Sequence, residues 1–318
     1  MRSFLYLAAS VRTVFPWFLT AFFTKYTIMA TVKDRYLNPF TDFGFKKLFG
    51  EESQKDLLID FLNALLPPKH HIRDLQYTRN EYMGGNADAR RAIMDITCTS
   101  DTGERFIVEL QKAKQNYFKE RSVYYSTFPI REQGERGNWN FELAAVYCVG
   151  VLDFVFDEDK GSTEYLHTVQ LKNQQNRVFY DKLTFVYLEM PNFTKTEAEL
   201  ITNTDKWLYF LKYLPDFQDI PTPLQSSLFE HAFHTAELAQ FNDVQRDSYE
   251  QSLKIYRDLK NTMDYAIEQA EAKGLAQGME SGLQKGILLV AKNMKESGMP
   301  LKDIAKLTSV SESDLATL

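Results

Sequence analysis

Two apolar runs of strand character, residues 92–99 and 105–111, flank Asp101-Thr102-Gly103-Glu104, and this spacing constrains the fold more tightly than anything else in the chain. Period-two alternation on both sides of a Gly-containing turn predicts an antiparallel hairpin. A similar run over residues 72–78 predicts a further strand. On strict alternation Met94, Ile96 and Cys98 share one face, while Ile93, Asp95 and Thr97 share the other. In the return strand Phe106, Val108 and Leu110 line one face, and Ile107, Glu109 and Gln111 the opposite one. The hairpin therefore carries two carboxylates, Asp95 and Glu109, inside apolar strands, where burying an unpaired charge is costly.

The flanking segments give the hairpin its setting. Phe43, Phe45, Leu48 and Phe49 precede the apolar stretch 56–66, which Pro67 and Pro68 end, so two short helices or one bent helix enter the core. A helix is expected over about 117–132, a buried strand within 143–156 and another over 183–190. The order helix, three strands, helix, strand predicts an α/β fold with a mixed central sheet flanked by helices. From residue 197 the signals turn helical: 207–214, 224–241, a long polar stretch over 244–296, and a short hairpin of helices over 301–315 reminiscent of a helix-turn-helix. The expected organisation is a start-site extension or disordered leader over 1–33, an α/β domain over 34–195, a helical region over 196–268, a glycine-stripe helix or spacer over 269–297, and a small helical hairpin over 298–318.

Composition limits the function. Hydrophobic residues make up 44% and charged residues 25%, as in globular protein rather than a disordered chain or fibre. Cys98 and Cys148 cannot form a disulfide framework and fall in apolar runs, which fits a reducing, cytoplasmic setting. The net charge is −6, but residues 31–136 carry 17 basic against 16 acidic side chains, while 137–318 carry 17 against 27. The first part is the more plausible surface for a polyanion, and Arg105, Lys112, Lys114, Lys119, Arg121, Arg131 and Arg136 lie close in sequence to the two carboxylates. The N-terminal apolar stretch, near residues 14–23, is too short to span a bilayer and contains Pro16, so no membrane association is expected and Met29 is read as the start of the functional chain. No His-Glu-x-x-His, Cys-x-x-Cys or phosphate-binding glycine loop is present in the sequence.

Asp95 and Glu109 are suited to a divalent cation. Mg²⁺ accepts one or two carboxylates, keeps several waters and leaves positions for a phosphate oxygen. Carboxylates at strand ends also pair with Lys or Arg and do nothing further, so the Asp…Glu-x-Gln pattern alone leaves both readings open. Downstream, Gly274, Gly278, Gly282 and Gly286 recur every four residues and would form one bare stripe on a helix. Each glycine costs about 1 kcal/mol of helix stability relative to alanine. Close approach of a second helix would justify that cost, with Leu275, Met279, Leu283, Ile287 and Leu288 contributing apolar area, so a homodimer through this helix is one expectation and a repeat-built spacer the other.

The stretch from Asn38 through Pro39-Phe40-Thr41-Asp42-Phe43-Gly44-Phe45-Lys46-Lys47 to Gly50, the Asp95-Ile96-Thr97 arm, the strand Ile107-Val108-Glu109-Leu110-Gln111 and the segment Phe118-Lys119-Glu120-Arg121-Ser122-Val123-Tyr124-Tyr125 together resemble the recombination-promoting nucleases, also described as transposases of the PD-(D/E)XK nuclease superfamily. The resemblance runs from about residue 34 to about 193, and the glycine-stripe tail is similar to that of many members. It implies a PD-(D/E)XK nuclease-like core followed by a helical C-terminal region, and a DNA endonuclease that uses Mg²⁺ or Mn²⁺. It assigns Asp95 and Glu109 to the metal. The superfamily's usual third residue is Lys, and Gln111 stands in its place, as it often does in this family. Gln can orient water or phosphate but supplies no charge. Lys112 would project from the opposite face of a regular strand; Lys114, Lys119 or Arg121 would have to reach back, and the Arg-x-x-Tyr-Tyr pattern singles out Arg121. Asp42 matches an acidic position of the first helix that can join the metal, although Thr41 or Asp42 also fits a helix N-cap. The alternative function is a catalytically silent DNA-binding or oligomerisation module of a transposase-like protein, which Gln111 keeps open. A third reading, a helical assembly protein with a vestigial nuclease domain, rests on the stripe.

Overall fold

Thr41 starts the first helix by accepting a hydrogen bond from the Gly44 amide through its side chain (2.9 Å), and Gly50 ends it. In the computed structural model, which describes residues 34–67, 71–82, 92–134, 137 and 139–318, this helix is α1, Asp42–Phe49, and a short 3-10 turn leads into α2, Lys55–Leu65. The leader expected over residues 1–33 and Arg136 lie outside the described residues. Leu57, Leu58, Phe61 and Leu62 form the buried stripe of α2, with the i, i+1, i+4, i+5 spacing that one helix face requires.

The strands follow as β1 (Leu75–Tyr77), β2 (Glu81–Tyr82), β3 (Ala92–Ile93), β4 (Ile96–Ser100) and β5 (Arg105–Gln111). Then come α3 (Phe118–Arg131), β6 (Val146–Leu152), β7 (Leu166–Lys172) and β8 (Val178–Glu189). Six of these strands form one mixed sheet in the order β1-β4-β5-β6-β8-β7, while β2 and β3 pair separately. The expected hairpin is β4–β5, antiparallel with Ile96 opposite Val108 and Cys98 opposite Phe106. β5, β6 and β8 run parallel, and fully buried β6 has the continuous apolar sequence of a central strand.

One face of the sheet packs Phe106, Val108, Leu110, Tyr147 and Val149 against helices α1 and α2 and the later helices α4 (Asn203–Tyr213) and α5 (Ser227–Ala236). The other face packs Ile107, Val146 and Cys148 against Phe118 and Phe128 of α3. This is the α/β core expected from the element order, a mixed central sheet flanked by helices.

Three expectations need correction. The run 92–99 is not one strand: it breaks at residues 94–95, so Met94 joins the cluster on the α3 side while Ile96 and Cys98 join the opposite one. Strict alternation had placed all three together, and the bend resets the register. The segment 224–241 is a shorter helix than expected, α5, followed by a separate 3-10 turn over Leu238–Gln240. β7 was not anticipated, because its sequence Leu-His-Thr-Val-Gln-Leu-Lys is polar at most positions, as an edge strand tolerates.

The chain divides into two compact units, Met1–Tyr256 and Arg257–Leu318, and α6 (Asp243–Glu296) runs through the division. Within the second unit α7 (Leu301–Thr308) and α8 (Glu312–Thr317) fold back onto the end of α6 around Ala291, Ile304 and Leu315. Lys295 Nζ donates to the carbonyl of Leu315 (2.8 Å), helping to close this small core. The four-glycine stripe lies on α6 with nothing within 4 Å of where a Cβ would stand. Among the described residues no helix is long and apolar enough to cross a membrane.

Candidate active site

β5 delivers Glu109 and Gln111 to the α3 side of the sheet, since each follows Ile107 by a step of two. Asp95 arrives by a different route. It sits in the bend between β3 and β4, where its Oδ2 accepts a hydrogen bond from the Leu110 amide (2.7 Å) and its own amide donates to Glu109 Oε1 (3.2 Å). A side chain thus takes the place of a rung of the ladder, and the exchange fixes both carboxylates against each other. Gln111 is 8% exposed and donates Nε2 to Glu109 Oε2 (3.3 Å). Directly across the ladder from Glu109 stands Gly150, so the neighbouring strand places no side chain over the carboxylate.

The hydrogen-bond partners of the two carboxylates among the described residues are amide groups, two from the backbone and one from Gln111. Burial therefore dominates their acidity. It pushes Glu109 up to about 8, with the Asp95 charge adding to the effect and Arg121 partly opposing it. Asp95 is also raised, first by burial, then by Asp42, against the Leu110 amide, Lys46 and Lys112. Two mostly buried carboxylates that repel each other and lack a bonded cation are suited to a divalent ion. The donor set fits one, which Asp95 and Glu109 would hold.

Beside Asp95 opens a cleft of about 530 Å³, lined among others by Asp42, Lys46, Lys47, Thr78 and Asn80. Asp42 is in this wall, near enough for its charge to raise Asp95, but its carboxylate is held by Lys46 at 3.0 Å. The N-cap role belongs to Thr41.

The basic residues sort as follows. Lys114 and Lys119 do not reach back to the carboxylates, because they pair with Asp157 and Glu158. Arg121 lies on α3 over the rings of Phe118 and Tyr125, at 5.3 and 5.6 Å, bonded to Gln115, and its charge acts on Glu109.

Lys112, set aside in the sequence because alternation turns it away from Gln111, lies near enough to act on the charge of Asp95. It follows the end of β5, is partly buried, and has its pKa lowered by that burial while Asp42 and Asp95 pull it back. Its charge, like those of Lys46 and Asp42, acts on Asp95. Lys46 was missed altogether; its signal was the Phe-Gly-Phe-Lys-Lys sequence, one helical turn after Asp42.

The family model described as PD-(D/E)XK nuclease family transposase matches residues 39–266, a span that takes in the whole six-stranded sheet and helices α1 to α5. No curated protein and no solved structure matches the chain. The fold, the paired carboxylates on its hairpin and the reach of that match lead to one assignment: the chain belongs to the PD-(D/E)XK nuclease family transposases.

Proposed function

We propose that the protein is a metal-dependent DNA endonuclease that hydrolyses phosphodiester bonds, acting in recombination, a mobile element or defence. The observation that carries this reading is the half-buried Asp95–Glu109 pair, locked by reciprocal amide–carboxylate hydrogen bonds, with Asp95 open to a cleft that has lysines in its wall. Asp95 and Glu109 would hold Mg²⁺ or Mn²⁺. Such an ion polarises a phosphate oxygen and makes a bound water more acidic.

The remaining work falls to the chain. Gln111 is anchored through Nε2 on Glu109, which leaves its side-chain oxygen to accept a hydrogen bond from the attacking water and orient it. Lys46 and Lys112 flank Asp95 and attract the phosphate backbone, and the lowered pKa of Lys112 brings it closer to proton exchange at neutral pH than an exposed lysine. Arg121 lies near Glu109, where a charge developing on the phosphoryl oxygens would be offset. Asp42 competes with substrate for Lys46, and it is the third carboxylate that can turn toward the cation.

Incubation of supercoiled plasmid with chain starting at Met29 tests this. Nicking or cutting with Mg²⁺ or Mn²⁺ that stops in EDTA is the expected result. Cleavage indifferent to chelation would overturn the metal mechanism, and binding without cleavage under every divalent ion would make the protein a silent DNA-binding module.

A further inference from the structure

A second cluster of ligand atoms lies where the start of β7 pairs with the end of β8, beside the 3-10 turn Asp157–Asp159, and shares no residue with the first. His167 stands opposite Tyr187 in the ladder, which puts it diagonally beside Glu189 on the same face. His167 Nε2 is 3.4 Å from Glu189 Oε2 and 4.0 Å from Asp159 Oδ2. The ligand atoms of all three residues lie within 4.8 Å of one another. Glu189 is fully buried, and its carboxylate is oriented by the Phe156 amide on Oε1 (2.7 Å) and by Asn192 Nδ2 on Oε2 (2.9 Å). His167 Nε2 is sealed from solvent and makes no hydrogen bond, although it lies between two carboxylates.

A buried carboxylate and a buried, unbonded ring nitrogen are each unfavourable, and one cation between them relieves both. We propose that Asp159, His167 and Glu189 form a zinc site. Tetrahedral Zn²⁺ with bonds of about 2.0–2.1 Å places its ligand atoms about 3.3 Å apart, which the His167–Glu189 separation already meets. Asp159 ends the short 3-10 turn Asp157–Asp159 and has 26% of its side chain exposed, so it closes the remaining gap by a side-chain adjustment. An imidazole nitrogen in the set selects a transition ion over Mg²⁺ or Ca²⁺. The hydrogen bonds that Phe156 and Asn192 make to Glu189 are the supporting contacts such ligands require. Water completes the fourth position. The ion pins the turn at 157–159, which also engages Lys114 and Lys119, to the β7–β8 edge of the sheet.

The test uses full-length protein carrying Asp95→Asn and Glu109→Gln, so that the first carboxylate pair takes up no ion, stripped of metal and titrated with Co²⁺. One equivalent should bind with the visible absorption of tetrahedral cobalt. Zn²⁺ should displace it and millimolar Mg²⁺ should not, and Zn²⁺ should raise Tm by several degrees. His167→Ala in that background should weaken binding by at least about 100-fold and erase the Tm shift, with Asp159→Asn weakening it by at least about tenfold. Absence of a saturable band, or a band that His167→Ala leaves unchanged, would overturn the site. If the background variant does not fold, the same titration on the unaltered chain decides: His167→Ala must remove one bound equivalent, and an unchanged stoichiometry refutes the proposal.

Discussion

Asp95 and Glu109 are held in a state that the fold alone does not favour. Burial pushes the folded-state pKa of Glu109 up to about 8, whereas the unfolded chain restores the ordinary carboxyl value of about 4.5. A carboxyl with a raised folded pKa contributes stability that is complete below its unfolded pKa and is lost as pH rises through the folded one. Metal-free protein should therefore lose stability between about pH 4.5 and pH 8, by an amount on the order of a few kcal/mol. Glu109→Gln should flatten that slope, raising Tm at pH 8 and leaving it little changed at pH 5, while abolishing cleavage. Thermal melts across pH with EDTA present check this, and an unchanged slope in the variant would assign the pH dependence to other groups. The same residues show what a sequence can and cannot convey. Asp95 and Glu109 stood out in the sequence because charge inside an apolar run is conspicuous, whereas Gln111, being neutral, was singled out only by the family resemblance. The face of Met94 was not legible, because face assignment presupposes an unbroken strand and the bend at Asp95 is held by a side-chain hydrogen bond that no periodicity encodes.

At the level of elements, α1 matters most for the wall of the cleft, and its N-terminal turn is unusually tight. A Cβ on Gly44 would lie 2.3 Å from the carbonyl oxygen of Asn38 and 2.7 Å from Thr41 Oγ1, the atom that caps the helix. Gly44→Ala should thus destabilise the protein by roughly 1–3 kcal/mol and reduce cleavage by displacing Asp42 and Lys46; denaturant melts and plasmid assays measure both. Gly274→Ala is the contrast. Its Cβ meets nothing, so within one chain it should stabilise α6 by up to about 1 kcal/mol. Helices and central strands were readable from their apolar spacing, and β5 was placed with both bounds correct. Edge strand β7 was not, since one exposed side removes the pattern that reveals a strand, and the β2–β3 ribbon is too short to carry one.

Across the whole molecule, self-association is the property the sequence raises most directly. Leu275, Met279 and Leu283 are each about two-thirds exposed on α6, beside the bare glycine stripe. Truncation after Glu268 should convert a dimer to a monomer in light scattering and shift plasmid products from linear DNA toward nicked circles, because two sites would no longer act on one duplex. A full-length chain that is monomeric at micromolar concentration would reassign the stripe to a spacer. The topology has a kinetic consequence as well. The β4–β5 hairpin closes over a four-residue turn, whereas β5 meets β6 only after α3, and β6 meets β8 only after β7. Local pairing precedes long-range parallel pairing because short loops close at less entropic expense. The two carboxylates are thus driven together before the core that buries them is complete. Repulsion between them belongs to the folding barrier, so Asp95→Asn should speed refolding in EDTA while changing the unfolding rate little. A divalent ion present from the start should do the same for the native sequence.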